Sequence, residues 1–172
     1  MRINSIPWSQ PGRWLMLLCC AASLQALAQE GTFGSKSMTP ETALTAARGA
    51  LEYCRKQGYQ VAVAVVDRSG LLQALLRDQY AGAHTVEVAS NKAWTAASFK
   101  IATAALANET QAGKPMSGLR SHPRVMAIGG GQVIEGGGIL LGGIGVSGAP
   151  GGDADDACAQ AGIRAIADAI AF

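Results

Sequence analysis

The sequence predicts one α+β domain, and three observations carry that prediction. Short apolar runs rich in β-branched residues fall into two groups, near 61–77 and 125–146, each divided by turn residues. Helical periodicity occupies the beginning, middle and end of the remaining chain. The whole is 172 residues, 49% hydrophobic and 15% charged, which supports one core and not two. Segregated antiparallel strands with intervening helices give the order α-ββ-α(α)-βββ-α, a five-stranded antiparallel sheet with flanking helices.

Each element has a local cause. Residues 1–28 have the build of an export signal. Arg2 and Arg13 precede any acid, an apolar run follows from Trp14, and Ala26-Leu27-Ala28 places small residues for cleavage after Ala28. Residues 29–38 read as a short polar lead, and 39–172 as a single domain. Thr39-Pro40-Glu41 is a helix start: a capping hydroxyl, proline at the first helical position, and an acid in the first turn. Leu44, Ala47, Leu51 and Cys54 repeat at helical spacing until Gly58 stops them.

Val61 to Val66 is apolar at every position and too short for a helix, so it reads as a strand covered on both faces. Asp67-Arg68-Ser69-Gly70 is turn chemistry, and Leu71 to Arg77 is the return strand of a hairpin. From Thr85 to Ala112 the composition predicts one broken helix or two consecutive ones. Three strands follow, Val125 to Ile128, Gln132 to Ile134 and Ile139 to Val146, with glycine turns between them. Asp153 is expected to cap a final helix that runs through Cys158, Ala161, Ala165 and Ala169 to the C-terminus.

The charge excludes some partners. There are 14 basic residues against 12 acidic, and loss of 1–28 removes two arginines, leaving a neutral chain. That balance argues against a nucleic-acid partner. After cleavage no stretch is long and apolar enough for a stable membrane span. Two cysteines stay, Cys54 and Cys158. In an oxidising compartment they are candidates for a disulfide, the alternative being two buried small apolar residues.

Half of the 24 residues from 129 to 152 are glycine. Gly143-Ile-Gly145-Val-Ser-Gly148 matches a dinucleotide fingerprint letter by letter. The mechanism needs a further strand and an acid about twenty residues on to hold the ribose. The acid at that distance, Asp168, falls inside the expected last helix, so no βαβ unit is completed and no nucleotide cofactor is expected. Gly145-Val-Ser147-Gly-Ala149 is likewise no nucleophile elbow. The glycines read as hairpin turns and sites of close backbone approach; for Gly142 to Gly148 a ligand or subunit contact stays open.

Three segments in this order resemble the GlcG/HbpS-like family, which includes secreted haem-binding proteins and the C-terminal domain of some cobalamin adenosyltransferases. They are Val65-Val66-Asp67-Arg68-Ser69-Gly70, Asn91-Lys92-Ala93-Trp94-Thr95-Ala96-Ala97-Ser98-Phe99, and Gly142 to Ala149 with Asp153 to Asp156. The resemblance implies a profilin-like fold in which the first and last helices pack together on the sheet. It also implies a homo-oligomer and haem as the bound cofactor. In the haem-binding branch a threonine after the central helix contacts the iron, and Thr103 stands there, with Ala104 where that branch has serine.

Chemically, imidazole suits haem iron better than a hydroxyl. His84, at the expected entrance to the central helix, is the preferred ligand over His122 in its loop; Tyr80 and Met116 are further conceivable contacts. Arg77 and Lys92 are candidates to pair with haem propionates, Lys92 alternatively forming a solvated helix face. No paired histidines or Cys-x-x-Cys occur for a zinc site, and no triad or adjacent acid/base pair is evident. The reading is therefore an exported, periplasmic or secreted haem- or tetrapyrrole-binding protein. The alternatives are a small periplasmic enzyme acting on an organic acid or a haem breakdown step, and a non-catalytic oligomeric accessory protein.

Overall fold

The structure is a computed structural model and describes residues 31–172. The expected export signal and its cleavage point after Ala28 lie outside the described residues. Lys36–Phe172 form one unit. Its first helix, α1 (Pro40–Lys56), starts where the sequence expects it, with the Thr39 side chain accepting from the Thr42 amide. Its buried stripe is Ala43, Ala46, Ala47, Ala50, Leu51 and Cys54, at successive three- and four-residue steps.

Strands β1 (Ala62–Asp67) and β2 (Leu72–Arg77) form the expected hairpin. Asp67 turns it: its carboxylate accepts from the Ser69 and Leu71 amides at 2.8 and 3.0 Å, and Gly70 takes a positive φ of 79°. The central helical region is two helices, α2 (Thr85–Phe99) and α3 (Thr103–Glu109). The break falls at Lys100, in the left-handed region at φ 55°. Then come β3 (Gly131–Gly136), β4 (Ile139–Ser147) and α4 (Gly152–Arg164). Gly137 and Gly138 turn β3 into β4 with φ of 55° and 75°, the two positive values a two-residue primed turn requires.

Among the described residues the sheet has four antiparallel strands in the order β2-β1-β4-β3, not the expected five. Val125 to Ile128 is not a strand, because its backbone groups are committed elsewhere. The Met126 amide donates to Thr95 Oγ1 on α2 at 3.0 Å, and the Ile128 amide donates to the Met126 carbonyl. Gly129 to Gly131 consequently make no hairpin turn; Gly131 opens β3 directly. Asp153 does not cap α4 either, since Gly151 holds the cap position and Asp153 lies in the first turn. That helix stops at Arg164, and a 3-10 turn (Asp168–Ile170) follows.

Helices cover both faces of the sheet. Val61, Val63 and Val65 point toward α1 and α4, in a core with Ile134, Ile144 and Val146. Ala62, Ala64 and Val66 point toward Ala89, Ala93 and Ala97 of α2. The unbroken apolar run of β1 is thus explained by burial on both sides. Cys54 and Cys158, fully buried, join α1 to α4 with their Cα atoms 5.5 Å apart and the sulfurs bonded.

Candidate functional site

The glycines of β4 set how close α2 comes to the sheet. A Cβ on Gly145 would stand 2.1 Å from the Ala89 carbonyl oxygen and 2.5 Å from the Ala93 amide, and one on Gly143 would stand 2.5 Å from the Ala93 carbonyl. The helix backbone therefore rests directly on the strand. Glycines that match a nucleotide fingerprint in the sequence are filled by a helix of the same chain. Gly148, at φ 130°, turns the chain away beneath the Gln60 carbonyl into the 149–152 loop.

At the N-terminal end of α2 the helix, the 58–60 turn, the Met126–Ile128 segment and the 147–152 loop leave a cleft of about 720 Å³. Tyr59, Tyr80, Val88, Met126 and Ile128 give it apolar walls, and His84 stands at its rim as the residue before α2. The imidazole is exposed and packs over Gly82, where a Cβ would come within 2.7 Å of the ring. The Thr85 hydroxyl donates to the Gly82 carbonyl at 2.6 Å and fixes that approach.

The floor of the cleft is an ion pair. Lys92 Nζ donates to Asp155 Oδ2 at 2.7 Å and to the Val146 carbonyl at 2.9 Å, and both residues are almost fully buried. Asp155 Oδ1 accepts from the Ala149 amide at 3.0 Å, so the pair ties α2, β4 and the 147–152 loop together. Burial pushes the Asp155 carboxyl above its ordinary range, and the hydrogen bond and charge of Lys92 offset part of that rise. Lys92 is neither a solvated helix face nor an unengaged cation; its charge is used within the protein.

The other residues expected at a site are dispersed. Thr103 is fully buried at the start of α3, and its hydroxyl accepts from the Gly131 amide at 2.8 Å and faces the Gly131 carbonyl at 3.4 Å. It holds the entry to β3 and does not line the cleft. His122 stacks on Trp94, ring centroids 5.5 Å apart, with Arg124 over the same indole. Arg77 lies outside the cleft wall, donating to the Ala81 carbonyl between Tyr80 and Gly82. There it lines a smaller adjoining cavity of about 430 Å³ with Arg55, Gln60, Asp78 and Gln79. Asp78 is buried, and its Oδ1 accepts from both Nε and Nη2 of Arg55, raising the guanidinium pKa further. Among the described residues no group of three or more histidine, cysteine or acidic side chains is placed to hold a metal ion.

The sequence reading missed Asp155, Asp78 and Arg55. A signal for the first existed: Lys92 shares the stripe of Ala89, Ala93 and Ala96, all buried, and a lysine in that phase demands a carboxylate partner.

A four-stranded antiparallel sheet clad in helices, with a cofactor-sized cleft at the end of α2, defines a class of small α+β domains. This chain belongs to the HbpS-like family: residues 38–164 match the family described as haem degrading protein HbpS-like. It is similar to the structure of a double mutant of HbpS from Streptomyces reticuli, at 32% identity and a TM-score of 0.74 over 94% of this chain and 97% of that one. It is also similar to the structure of a PduOC–haem complex, at 34% identity and a TM-score of 0.72 over 76% and 96% of the two chains. A corrinoid adenosyltransferase, PduO of Salmonella typhimurium, is 38% identical over 103 residues, 59% of this chain. The chain spans under a third of the length of that relative, 31%.

Proposed function

We propose that this protein binds haem in the cleft at the N-terminal end of α2, with His84 as the iron ligand. The observation that carries the reading is the cleft itself. Its volume of about 720 Å³ suits a cofactor site, its walls are aromatic and aliphatic, and a single imidazole stands at the rim. Both the family description and the haem complex of the similar PduOC structure support the same ligand. When bound, the iron porphyrin supplies ligand exchange and one-electron redox chemistry at the iron. The protein's own part is positional. Thr85 and Gly82 hold His84 at the rim, the Lys92–Asp155 pair keeps the 147–152 loop closed under the cleft, and Thr103 anchors β3 behind it.

Hemin added to the purified protein should give a saturable, stoichiometric Soret shift, and His84→Ala should abolish it. No shift beyond that of free hemin rejects the reading. If Thr103→Ala removes the shift while His84→Ala leaves it, the ligand is assigned to the wrong residue. A second reading, oxidative turnover of the bound haem with dioxygen as oxidant, is favoured by the family's description as haem degrading; loss of the Soret band with release of iron under added reductant in air, and no loss when dioxygen is excluded, tests it.

The same proposal places the protein outside the cytoplasm, with residues 1–28 removed after Ala28. The Cys54–Cys158 pairing supports an oxidising compartment, and among the described residues no helix is long and apolar enough to cross a membrane. N-terminal sequencing of the exported protein should begin at Gln29. Self-association belongs to the proposal as well. Leu71, Leu72 and Leu75 are exposed on and beside edge strand β2, which supports it, and light scattering on the purified protein measures it.

A further inference from the structure

A dianionic tetrapyrrole brings two carboxylates, and the cleft offers them little. Among the described residues Lys92 is the one lysine or arginine lining it, and Asp155 and the Val146 carbonyl already take its charge. The adjoining cavity is the reverse case. It shares Gln60 with the cleft and holds two guanidinium groups, those of Arg55 and Arg77.

Arg77 has no carboxylate partner among the described residues. One of its terminal nitrogens donates to the Ala81 carbonyl, and Ala81 sits between two cleft-lining residues, Tyr80 and Gly82. The side chain is therefore anchored against the outside of the cleft wall with its Nε and second terminal nitrogen available. Arg55 is held by the buried Asp78 through Nε and Nη2, which leaves both hydrogens of Nη1 and the second of Nη2 as donors. Asp78 is thus a positioning residue: its Oδ1 fixes Arg55, while its Oδ2 is buried with no hydrogen-bond partner. Two anchored guanidinium groups, each with donors to spare, and the amides of Gln60 and Gln79 match the acceptor geometry of a carboxylate.

We infer that the Arg55–Arg77 cavity is the carboxylate subsite of the cleft, selecting tetrapyrroles that carry acidic side chains over those that do not. The inference rests on the haem reading and assigns the ligand's orientation: the carboxylate edge lies toward Gln60 and Arg77, the apolar edge toward Val88 and Ile128. Charge that the cleft lacks is supplied from the next cavity.

The experiment compares hemin with hemin dimethyl ester, in which both carboxylates are blocked, on the unaltered protein and on Arg77→Gln, Arg77→Lys and Arg55→Gln. Arg77→Gln should weaken hemin about tenfold, the loss of one charge-assisted contact, and leave the ester within about twofold. Arg77→Lys keeps the charge without the planar fork and should fall between. Arg55→Gln should weaken hemin less than Arg77→Gln, because Asp78 shares that guanidinium. Equal weakening of hemin and ester by Arg77→Gln, or no weakening of either, overturns the subsite while the haem reading stands. Failure of hemin to bind the unaltered protein overturns both.

Discussion

The two faces of the sheet are held by different means. On the α1/α4 face, valine and isoleucine fill the space and a disulfide ties the helices together. On the α2 face the packing is mostly alanine and glycine, with Val66 and Val86 the larger side chains, and helix backbone lies against strand backbone at Gly143 and Gly145. The first face gains from apolar area and a covalent link, and it tolerates a small change in volume. The second has almost no side chain to move, and the cleft opens at its end. A face built on backbone contact fixes the cleft's floor and wall more rigidly than a face of adaptable side chains would. The lesson is that the thin face is the one suited to hold a site.

The largest test of this contrast is reduction of the disulfide. It closes a loop of 104 residues, and opening it should cost about 4–5 kcal/mol of folding stability in the chain-entropy account. Denaturant unfolding with and without reductant measures this. Hemin affinity under native conditions should hold, because the bond lies on the other face. Loss of hemin binding with the fold intact would break the division between the faces.

Next comes Asp155→Ala, which removes the carboxyl from both Lys92 and the Ala149 amide and leaves the Lys92 ammonium buried without its partner; about 3–4 kcal/mol of stability should be lost. Replacing both residues together, as Lys92→Met with Asp155→Leu, should recover much of it, and calorimetry on the three variants gives the coupling. Gly145→Ala should follow at about 2–3 kcal/mol, since its new methyl has only the Ala89 carbonyl and Ala93 amide to meet. Ile144→Val, the neighbouring residue on the opposite face, should cost only about 1 kcal/mol. Comparable losses at 144 and 145 in chemical denaturation would remove the contrast.

The smallest effect is a pH dependence. The Asp155 carboxyl is raised by burial in the folded protein, so the folded state holds its proton more tightly than the unfolded chain does. Its contribution to stability is fully present below the ordinary carboxylate pKa, 3.8, and is lost as pH rises through the elevated folded value. The stability gap between the unaltered protein and Asp155→Ala should therefore widen on acidification through that window. A gap that narrows would mean that Lys92 dominates burial at this carboxylate.

Much of the fold was legible in local chemistry. Thr39 and Pro40 start α1 where capping and a fixed φ require, Gly70 and the Gly137-Gly138 pair turn their hairpins, and the break between α2 and α3 lies within a stretch already read as broken or double. The segment from Val125 to Ile128 was not legible. Its apolar, β-branched composition favours a strand, but the Thr95 hydroxyl, 31 residues away in sequence, and local turn bonds at Val125 and Ile128 take up its backbone amides. Of the candidate site, His84 was legible as a lone imidazole at a helix entrance, and the structure sets it at the rim of the cleft. Arg77 was found as a cation but not as a member of a separate cavity with Arg55.

What the sequence determined by itself is therefore what depends on near neighbours: caps, turns, the period of each element, and a family signature read in order along the chain. The tertiary structure decided what depends on distance in space. It took the fingerprint-like glycines of β4 and filled them with α2, and it joined Lys92 to Asp155 across 63 residues. It also divided the cationic groups between a cleft whose lysine is paired with Asp155 and a neighbouring cavity in which Arg55 is paired with Asp78 and Arg77 has no carboxylate partner among the described residues. Such pairings depend on the full three-dimensional path of the chain, because a charge or a glycine has no functional meaning until its neighbour in space is known.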